Sequence, residues 1–332
     1  MFRCVVAVAA AAVAPACFSP SSLGPPCASD RSCPAGLVCV DQPDPRCVTP
    51  TADAGEGGAD AEALTDATPL ADAAPDGDAD GVADAVDNCV AVANPTQANE
   101  DGDPLGNLCD PCPHLAGLDA AAAAADRDGD LVGDACDPRS TSPGDVIAMF
   151  LPFDDPSELG RLEPASASAW SISGGALRVD VGDGEISAIW SLDQFTPRGT
   201  VVAGLTPTML QGAGAGNHSI SVLREVSSNN HAGEACFQSN GNPMEIGWAP
   251  AVGVSSLGTP AAETPYPVPV APDRAYVMSA TRLNNQRTCR VATVGHNDVV
   301  AISQFSGNGA GVGLRVRAVD VAFPYLVVIT SP

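Results

Sequence analysis

Apolar and polar residues alternate along the last part of the chain, residues 145–332. In segment 177–181, Leu177, Val179 and Val181 lie on one face and Arg178 and Asp180 on the other. Segment 312–317 repeats the pattern, because its valines and leucine alternate with glycine and arginine. A period of two is typical of half-buried β-strands. Further strand candidates are Ile186–Leu192, Val201–Leu205, Ile220–Val226, Ala275–Arg282, Cys289–Val294, Val299–Ile302 and Phe323–Ile329.

Glycine and proline separate these candidate strands, and no long helical period lies between them. Many short strands with such punctuation predict a mainly β fold, with two packed sheets forming a sandwich. Residues 138–144, rich in proline, serine and glycine, mark the boundary before this region.

Residues 76–137 show no such alternation and instead contain three acidic loops of twelve residues. The first loop has carboxylates at positions 1, 3, 5, 9 and 12 and glycine at position 6. Ca²⁺ takes six to eight oxygen ligands, so alternate residues must turn inward while position 7 offers its carbonyl. The spacing therefore predicts a calcium site, with the ligands Asp76, Asp78, Asp80, Val82, Asp84 and Asp87.

The other two loops repeat this spacing with departures. The third has leucine at position 6, and the second has amides at positions 1 and 9, which we expect to weaken its site because each removes a negative charge. The predicted ligands of the second loop are Asn99, Asp101, Asp103, Leu105, Asn107 and Asp110. Those of the third are Asp126, Asp128, Asp130, Val132, Asp134 and Asp137.

The cysteines and amides between the loops add a family resemblance. The runs Asp87–Cys89, Asn94–Gln97, Gly106–Asp110 and Gly133–Asp137 closely resemble thrombospondin type 3 repeats. That resemblance implies that calcium ions replace a hydrophobic core and that disulfides join successive loops, here Cys89–Cys109 and Cys112–Cys136. Pro104 and the alanine-rich insert Asp119–Ala125 depart from the family pattern.

A disordered acidic linker and EF-hands are two other interpretations of residues 76–137. Acidic runs with few aromatic residues often remain disordered, but a random linker would not keep its cysteines in register with its aspartates. EF-hands are excluded because no amphipathic helices flank the loops.

Charge and cysteine content narrow the function classes. The formal net charge is −25, and most of the acidic residues lie between residues 53 and 137. Such a field attracts divalent cations and repels nucleic acid, which we exclude as a partner. Twelve cysteines without zinc-type spacing indicate disulfides and an oxidising compartment.

The N-terminus predicts export. Residues 1–16 have an arginine near the start and an apolar stretch, typical of a signal peptide. Ala14 and Ala16 suit ordinary signal peptidase, which would release a secreted protein. Cys17 after a small residue resembles a bacterial lipobox, which implies a lipid anchor and a tether over residues 17–26 at the outer membrane or cell surface. Lipidation of Cys17 would leave an even number of cysteines for pairing.

Two segments separate this N-terminus from the loops. Residues 27–47 contain four cysteines and predict a small disulfide-rich module, which resembles Cys-rich modules of myxobacterial surface proteins. Residues 48–75 hold almost no large apolar residue and predict a disordered acidic linker.

Three motifs of residues 145–332 resemble concanavalin A-like, or laminin G-like, jelly rolls. They are Phe153–Asp155, the Ile172–Val179 hairpin, and the end of the chain with Gly311–Val316 and Phe323–Val328. The resemblance implies a jelly-roll domain. Cys236 and Cys289 are the only cysteines of this region, and we expect them to pair if their strands meet.

Three functions are compatible with these observations. The first is a calcium-stiffened stalk that presents a binding head to a cell-surface glycan or protein, as in adhesion. The second is a glycan hydrolase, which needs paired carboxylates that the sequence does not show, so we expect no catalytic residue. The third is a purely structural calcium binder. Candidates for sugar stacking are Trp170, Trp190, Trp248, Tyr266 and Tyr276, of which Trp248 is predicted to lie in a loop and Trp190 in the core.

Overall fold

The computed structural model describes two short strands near the N-terminus and most of the chain from residue 75 onward. The ranges are 38–40, 46–48, 75–115, 125–164, 170–182, 185–212, 218–241, 243–253, 256–302 and 309–332. The chain divides into two compact units, Met1–Ala71 and Asp72–Pro332. The predicted signal peptide and tether, and residues 49–74 of the predicted linker, lie outside the described residues.

In the first unit, β1 (Val38–Val40) pairs with β2 (Arg46–Val48) in an antiparallel hairpin. Val38 lies opposite Val48, and Cys39 lies opposite Cys47. The side chains of the predicted disulfide-rich module lie outside the described residues.

In the second unit, residues 145–332 form two antiparallel sheets. One sheet has the order β12-β11-β10-β9-β17-β7-β4, with β13 also paired to β11. The other has the order β16-β15-β14-β8-β18-β6-β5, with β19 paired to both β8 and β3. The strands are β3 Val146–Leu151, β4 Leu162–Pro164, β5 Trp170–Ile172, β6 Leu177–Val179, β7 Ile186–Ser191, β8 Gly199–Leu210, β9 Ser219–Val226, β10 Gly233–Ser239, β11 Glu245–Val252, β12 Ser256–Leu257, β13 Ala262–Pro265, β14 Tyr276–Leu283, β15 Gln286–Thr293, β16 His296–Ile302, β17 Gly311–Arg317, β18 Val319–Phe323 and β19 Leu326–Thr330. A short 3-10 helix, Pro156–Arg161, precedes β4.

Alternation along the strands decides which side chains enter the core. On β17, Leu314 and Val316 belong to the main core cluster, whereas Arg315 and Arg317 point to the opposite face of the sheet. The same cluster takes Ile220 and Val222 from β9 in the same sheet and Val201 and Ala203 from β8 in the other sheet. The predicted mainly β fold with a two-sheet sandwich is therefore confirmed.

Two details of the predicted strands are wrong. Segment 323–329 is two strands, β18 and β19, because the chain turns at Pro324 and Tyr325. Trp248 does not lie in a loop: it is in β11, is fully buried, and belongs to the main core cluster. Tyr266 and Tyr276 are equally buried, so these three aromatic rings pack in the core and offer no face to a sugar.

Residues 75–115 and 125–144 contain turns and bends without helices or strands. Their third loop nevertheless packs on the sandwich: Val132 is 1% exposed and forms a small cluster with Tyr325, Val327 and Ile329. Across the described ranges, we find no helix with the length and apolar character needed to cross a membrane.

Candidate calcium-binding repeats

The backbone of each acidic loop bends sharply at the same place. Position 4 has a positive φ in all three loops, at Ala79 (63°), Gly102 (74°) and Gly129 (79°). Position 6 adds a second such residue in two loops, Gly81 (95°) and Leu131 (74°). The left-handed region favours glycine, so Leu131 costs conformational energy that glycine at this place would avoid.

In most acidic side chains of the loops, one carboxylate oxygen accepts a hydrogen bond from a backbone N–H group. In the first loop, Asp76 Oδ2 accepts from Gly81 N at 3.0 Å, and Asp80 Oδ1 accepts from Val82 N at 2.8 Å. At position 12, Asp87 Oδ1 accepts from Cys89 N at 2.7 Å. The equivalent carboxylates of the other loops, Asp110 and Asp137, bind the N–H two residues ahead at 2.6 Å. These bonds hold the carboxylates in fixed orientations, as an oxygen cage requires.

Several other carboxylate oxygens of the loops are buried without hydrogen-bond partners. Among the described residues, they are Asp78 Oδ2, Asp87 Oδ2, Asp101 Oδ2, Asp103 Oδ2, Asp110 Oδ2, both Asp128 oxygens and Asp137 Oδ2. A buried, unpaired carboxylate is costly unless a cation neutralises it. The donor set consists of hard oxygens, which is the chemistry that Ca²⁺ prefers. The residues present therefore fit calcium.

Carboxylates of the loops, together with Asp145, converge in four groups. Within each group, one ligand atom from each residue lies within 4.8 Å of the others. The groups found in the described ranges are Asp76/Asp78/Asp80, Asp101/Asp103/Asp110, Asp126/Asp128/Asp130 and Asp130/Asp137/Asp145. Asp130 belongs to two of them, as expected for a carboxylate that bridges neighbouring ions.

Side chains at position 9 accept hydrogen bonds from backbone N–H groups near the start of their own loop. Asp84 Oδ1 accepts from Gly77 N at 2.7 Å, Asn107 Oδ1 from Glu100 N at 2.9 Å, and Asp134 Oδ1 from Arg127 N at 3.0 Å. Each bond spans seven residues and closes its loop. Asp134 also forms an ion pair with Arg127 at 3.4 Å. Neither Asp84 nor Asp134 belongs to the convergent groups of carboxylates found among the described residues.

The side-chain amide at position 1 of the second loop forms hydrogen bonds within that loop. Asn99 Oδ1 accepts from Gly102 N at 2.8 Å, and its Nδ2 donates to Asp103 O at 2.6 Å. The convergent group here instead uses positions 3, 5 and 12. Of the predicted carbonyl donors at position 7, Val82 and Leu105 are half-buried and Val132 is buried.

Burial changes the acidity of two position-12 carboxyls. It raises the pKa of Asp110 to about 6 and the pKa of Asp137 to about 7, and the neighbouring Asp145 adds to the shift of Asp137. A bound cation would oppose both shifts, because it favours the ionised form.

Asp145 is a candidate ligand that sequence reasoning missed. It is fully buried, and Arg139 Nε donates to its Oδ2 at 3.1 Å. Asp130 Oδ2 accepts from the backbone N–H of Gly144 and Asp145, at 2.9 and 2.7 Å. Because Asp145 lies fifteen residues after Asp130, beyond the repeat boundary, loop spacing alone could not place it.

Disulfides connect the loops as predicted. Cys89 is bonded to Cys109 and Cys112 to Cys136, with Cα–Cα distances of 5.6 and 5.8 Å. Cys236 is bonded to Cys289 in the sandwich. The three predicted pairs are confirmed.

The sandwich contains one pair of buried glutamates on neighbouring strands. Glu225, at the end of β9, forms ion pairs with Arg282 at 3.0 Å and Arg287 at 3.3 Å. Glu234 begins β10, and burial raises its pKa to about 8. Both side chains are at most 4% exposed. Their burial leaves no path for a glycan to reach them in this structure.

Residues 74–97 match the family model of the thrombospondin type 3 repeat. This range covers the first loop and the segment Asn94–Gln97, which confirms the resemblance there. No curated protein matches the chain.

Several solved structures are similar in arrangement. A carbohydrate-binding module, CBM66, from Bacillus subtilis is 14% identical with a TM-score of 0.38, and the match covers 49% of this chain and 91% of that chain. A β-glucanase from Bacillus licheniformis is 8% identical with a TM-score of 0.41, covering 55% and 98%. Lectin II from Ulex europaeus is 8% identical with a TM-score of 0.42, covering 56% and 100%. At these sequence identities and TM-scores, we assign no ligand or activity of these proteins to this chain.

Proposed function

We propose that this chain is an exported calcium-binding protein whose repeats form a calcium-stiffened stalk and present the sandwich as a binding head for a surface glycan or protein. The observation that carries the calcium part is the convergence of carboxylates in the three loops, where each group includes at least one oxygen that is buried without a hydrogen-bond partner. The match to the thrombospondin type 3 repeat supports it independently. Adhesion at a cell surface would use both parts, with Cys17 as the lipid anchor.

The head is proposed to bind without cleaving. Glycan hydrolysis needs an accessible acid and base across a substrate. The carboxylates Glu225 and Glu234 are buried, and Glu225 forms ion pairs with Arg282 and Arg287, which fits a structural ion cluster better than catalysis.

Calcium titration by calorimetry, with metal content measured on the same sample, tests the stalk. We expect binding of more than one ion per chain and affinities near those of extracellular calcium modules, about 10⁻⁴ to 10⁻³ M, tightened where Asp130 is shared. Absence of calcium uptake would overturn the proposal. Intact mass of the exported protein tests the anchor, since lipidation at Cys17 and free secretion give different masses.

A further inference from the structure

A polar cavity of about 320 Å³ lies on the face of the β9–β11 sheet that points away from the core. Its floor is formed by β7, β9, β10, β11 and β17, and the segment 256–260 forms one wall. Gly258 N donates to Pro250 O at 2.7 Å, which fixes that wall to β11. This volume falls in the range of small-molecule sites, about 300–1,000 Å³. We call this cavity the trough.

The strand register places the polar groups of the trough in one line. Arg317 lies opposite Ser219, Ser219 opposite Ser239, and Ser239 opposite Glu245. A cation therefore stands at one end, two hydroxyls follow, and a carboxylate stands at the other end. With strands spaced about 4.8 Å apart, the line spans roughly 14 Å at the backbone, which suits an elongated ligand.

A second line beside the first adds a cation and an aromatic ring. Arg315 lies opposite Ser221, Ser221 opposite Phe237, and Phe237 opposite Gly247. A Cβ at position 247 would lie 3.0 Å from two carbons of the Phe237 ring, so the absent side chain leaves room for the ring. Phe237 is 4% exposed, so its ring forms part of the apolar floor of the trough next to the serines and offers no stacking face.

Arg317 gives the trough its charge preference. Its side chain lines the cavity and is half-buried, and its Nε is buried without a hydrogen-bond partner. A ligand carboxylate would satisfy this donor, because guanidinium groups bind carboxylates with two parallel hydrogen bonds. Arg315, on the same strand, is 2% exposed and is not within reach of a ligand.

We propose that the trough binds an acidic saccharide of the uronic acid type, with its carboxylate at Arg317 and its hydroxyls on Ser219, Ser239 and Glu245. This rests on the proposed function, because it names the ligand class of the head. A chain with net charge −25 attracts polyanions poorly, so recognition must come from this local site and not from overall charge.

The test compares two ligands that differ in the carboxylate alone. Calorimetry on the full chain, saturated with calcium, uses trigalacturonate and the neutral α-1,4-linked galactotriose. We expect binding of the acid and at least tenfold weaker binding of the neutral sugar. Arg317→Gln should weaken trigalacturonate binding about tenfold or more, and Arg317→Lys should restore only part of it, since lysine lacks the planar fork.

Arg290→Gln is the matched control, because Arg290 is an exposed arginine on β15 of the other sheet. It should bind trigalacturonate like the unaltered chain, and thermal melts of all variants should coincide.

Equal binding of both sugars, or an unchanged affinity in Arg317→Gln, would overturn the trough assignment while leaving the binding head intact. Tighter binding of dextran sulfate than of trigalacturonate would also overturn it, because affinity would then follow charge density. If the chain binds no glycan on an array, the inference and the glycan part of the proposed function are both overturned. The calcium titration of the same sample would still test whether the repeats bind calcium.

Discussion

At the scale of single residues, the third loop contains two kinds of carboxylate. Asp130 belongs to two convergent groups, whereas one oxygen of Asp134 closes the loop on Arg127 N. We predict that Asp130→Asn lowers calcium affinity more than Asp134→Asn and removes more than one ion, because it takes charge from two sites at once. Calcium titration of both variants checks this. Equal losses would contradict a shared role for Asp130.

A second prediction at this scale concerns Glu234. Its pKa is raised from 4.5 to about 8 by burial, so the folded state holds a proton that the unfolded state releases at neutral pH. This group therefore lowers stability as the pH rises from about 4.5 to 8. Glu234→Gln should raise the free energy of unfolding by about 1–3 kcal/mol at pH 8 and leave it nearly unchanged at pH 4. Urea melts at both pH values measure this, and an equal effect at the two values would refute the burial argument.

At the scale of elements, alternation predicted the strands that have one buried face. β6 and β17 were found from leucine and valine at every second position. β11 was missed because Gly247 and Pro250 interrupt it, and glycine and proline inside a segment argue against a strand. β3 reads Val-Ile-Ala-Met-Phe-Leu, a continuous apolar run that periodicity cannot assign.

The candidate calcium site could also be predicted from the spacing of residues in the sequence. Most oxygen ligands of such a loop lie within twelve residues, so their spacing is visible in the sequence. Asp145 could not be predicted, because only the packed chain brings it beside Asp130 and Asp137. The trough was hidden as well, since Arg317, Ser219 and Glu245 meet through strand register.

The disulfide Cys236–Cys289 permits a prediction about the two sheets. Cys236 lies on β10 and Cys289 on β15, so the bond joins the sheets across the core and closes a separation of 53 residues. Loop-closure entropy predicts that it stabilises the sandwich by about 4 kcal/mol. The double variant Cys236→Ala/Cys289→Ala should lower Tm by about 8–15 °C, as calorimetry can measure. A shift below about 2 °C would mean that packing alone fixes the sheets.

At the scale of the whole molecule, the repeats and the sandwich differ in what orders them. Residues 75–115 and 125–137 bury few apolar side chains, whereas ordering each residue costs about 1–2 kcal/mol. We predict that chelation with EGTA expands the repeats while the sandwich keeps a cooperative melt. Small-angle scattering and calorimetry with and without calcium measure the two effects. Equal dimensions in both conditions would contradict a calcium core.

The last prediction concerns the contact between the third loop and the sandwich. Val132 is 1% exposed and packs against Tyr325, Val327 and Ile329, whereas its neighbour Leu131 is 80% exposed. Burying a valine side chain contributes about 1.5–3 kcal/mol. Val132→Ser should therefore release the loop from the sandwich with calcium present, and Leu131→Ser should not.

Trypsin provides the measurement, because Arg139 lies between the loop and β3. Its side chain is 27% exposed and paired with Asp145 in the docked state, whereas the side chain of Arg127 is 66% exposed. Release of the loop should speed cleavage after Arg139 in Val132→Ser, and cleavage after Arg127 serves as the internal reference in each digest. Mass spectrometry of the fragments gives the ratio of the two rates. The same ratio in Val132→Ser and Leu131→Ser would show that this apolar contact does not hold the repeats to the sandwich.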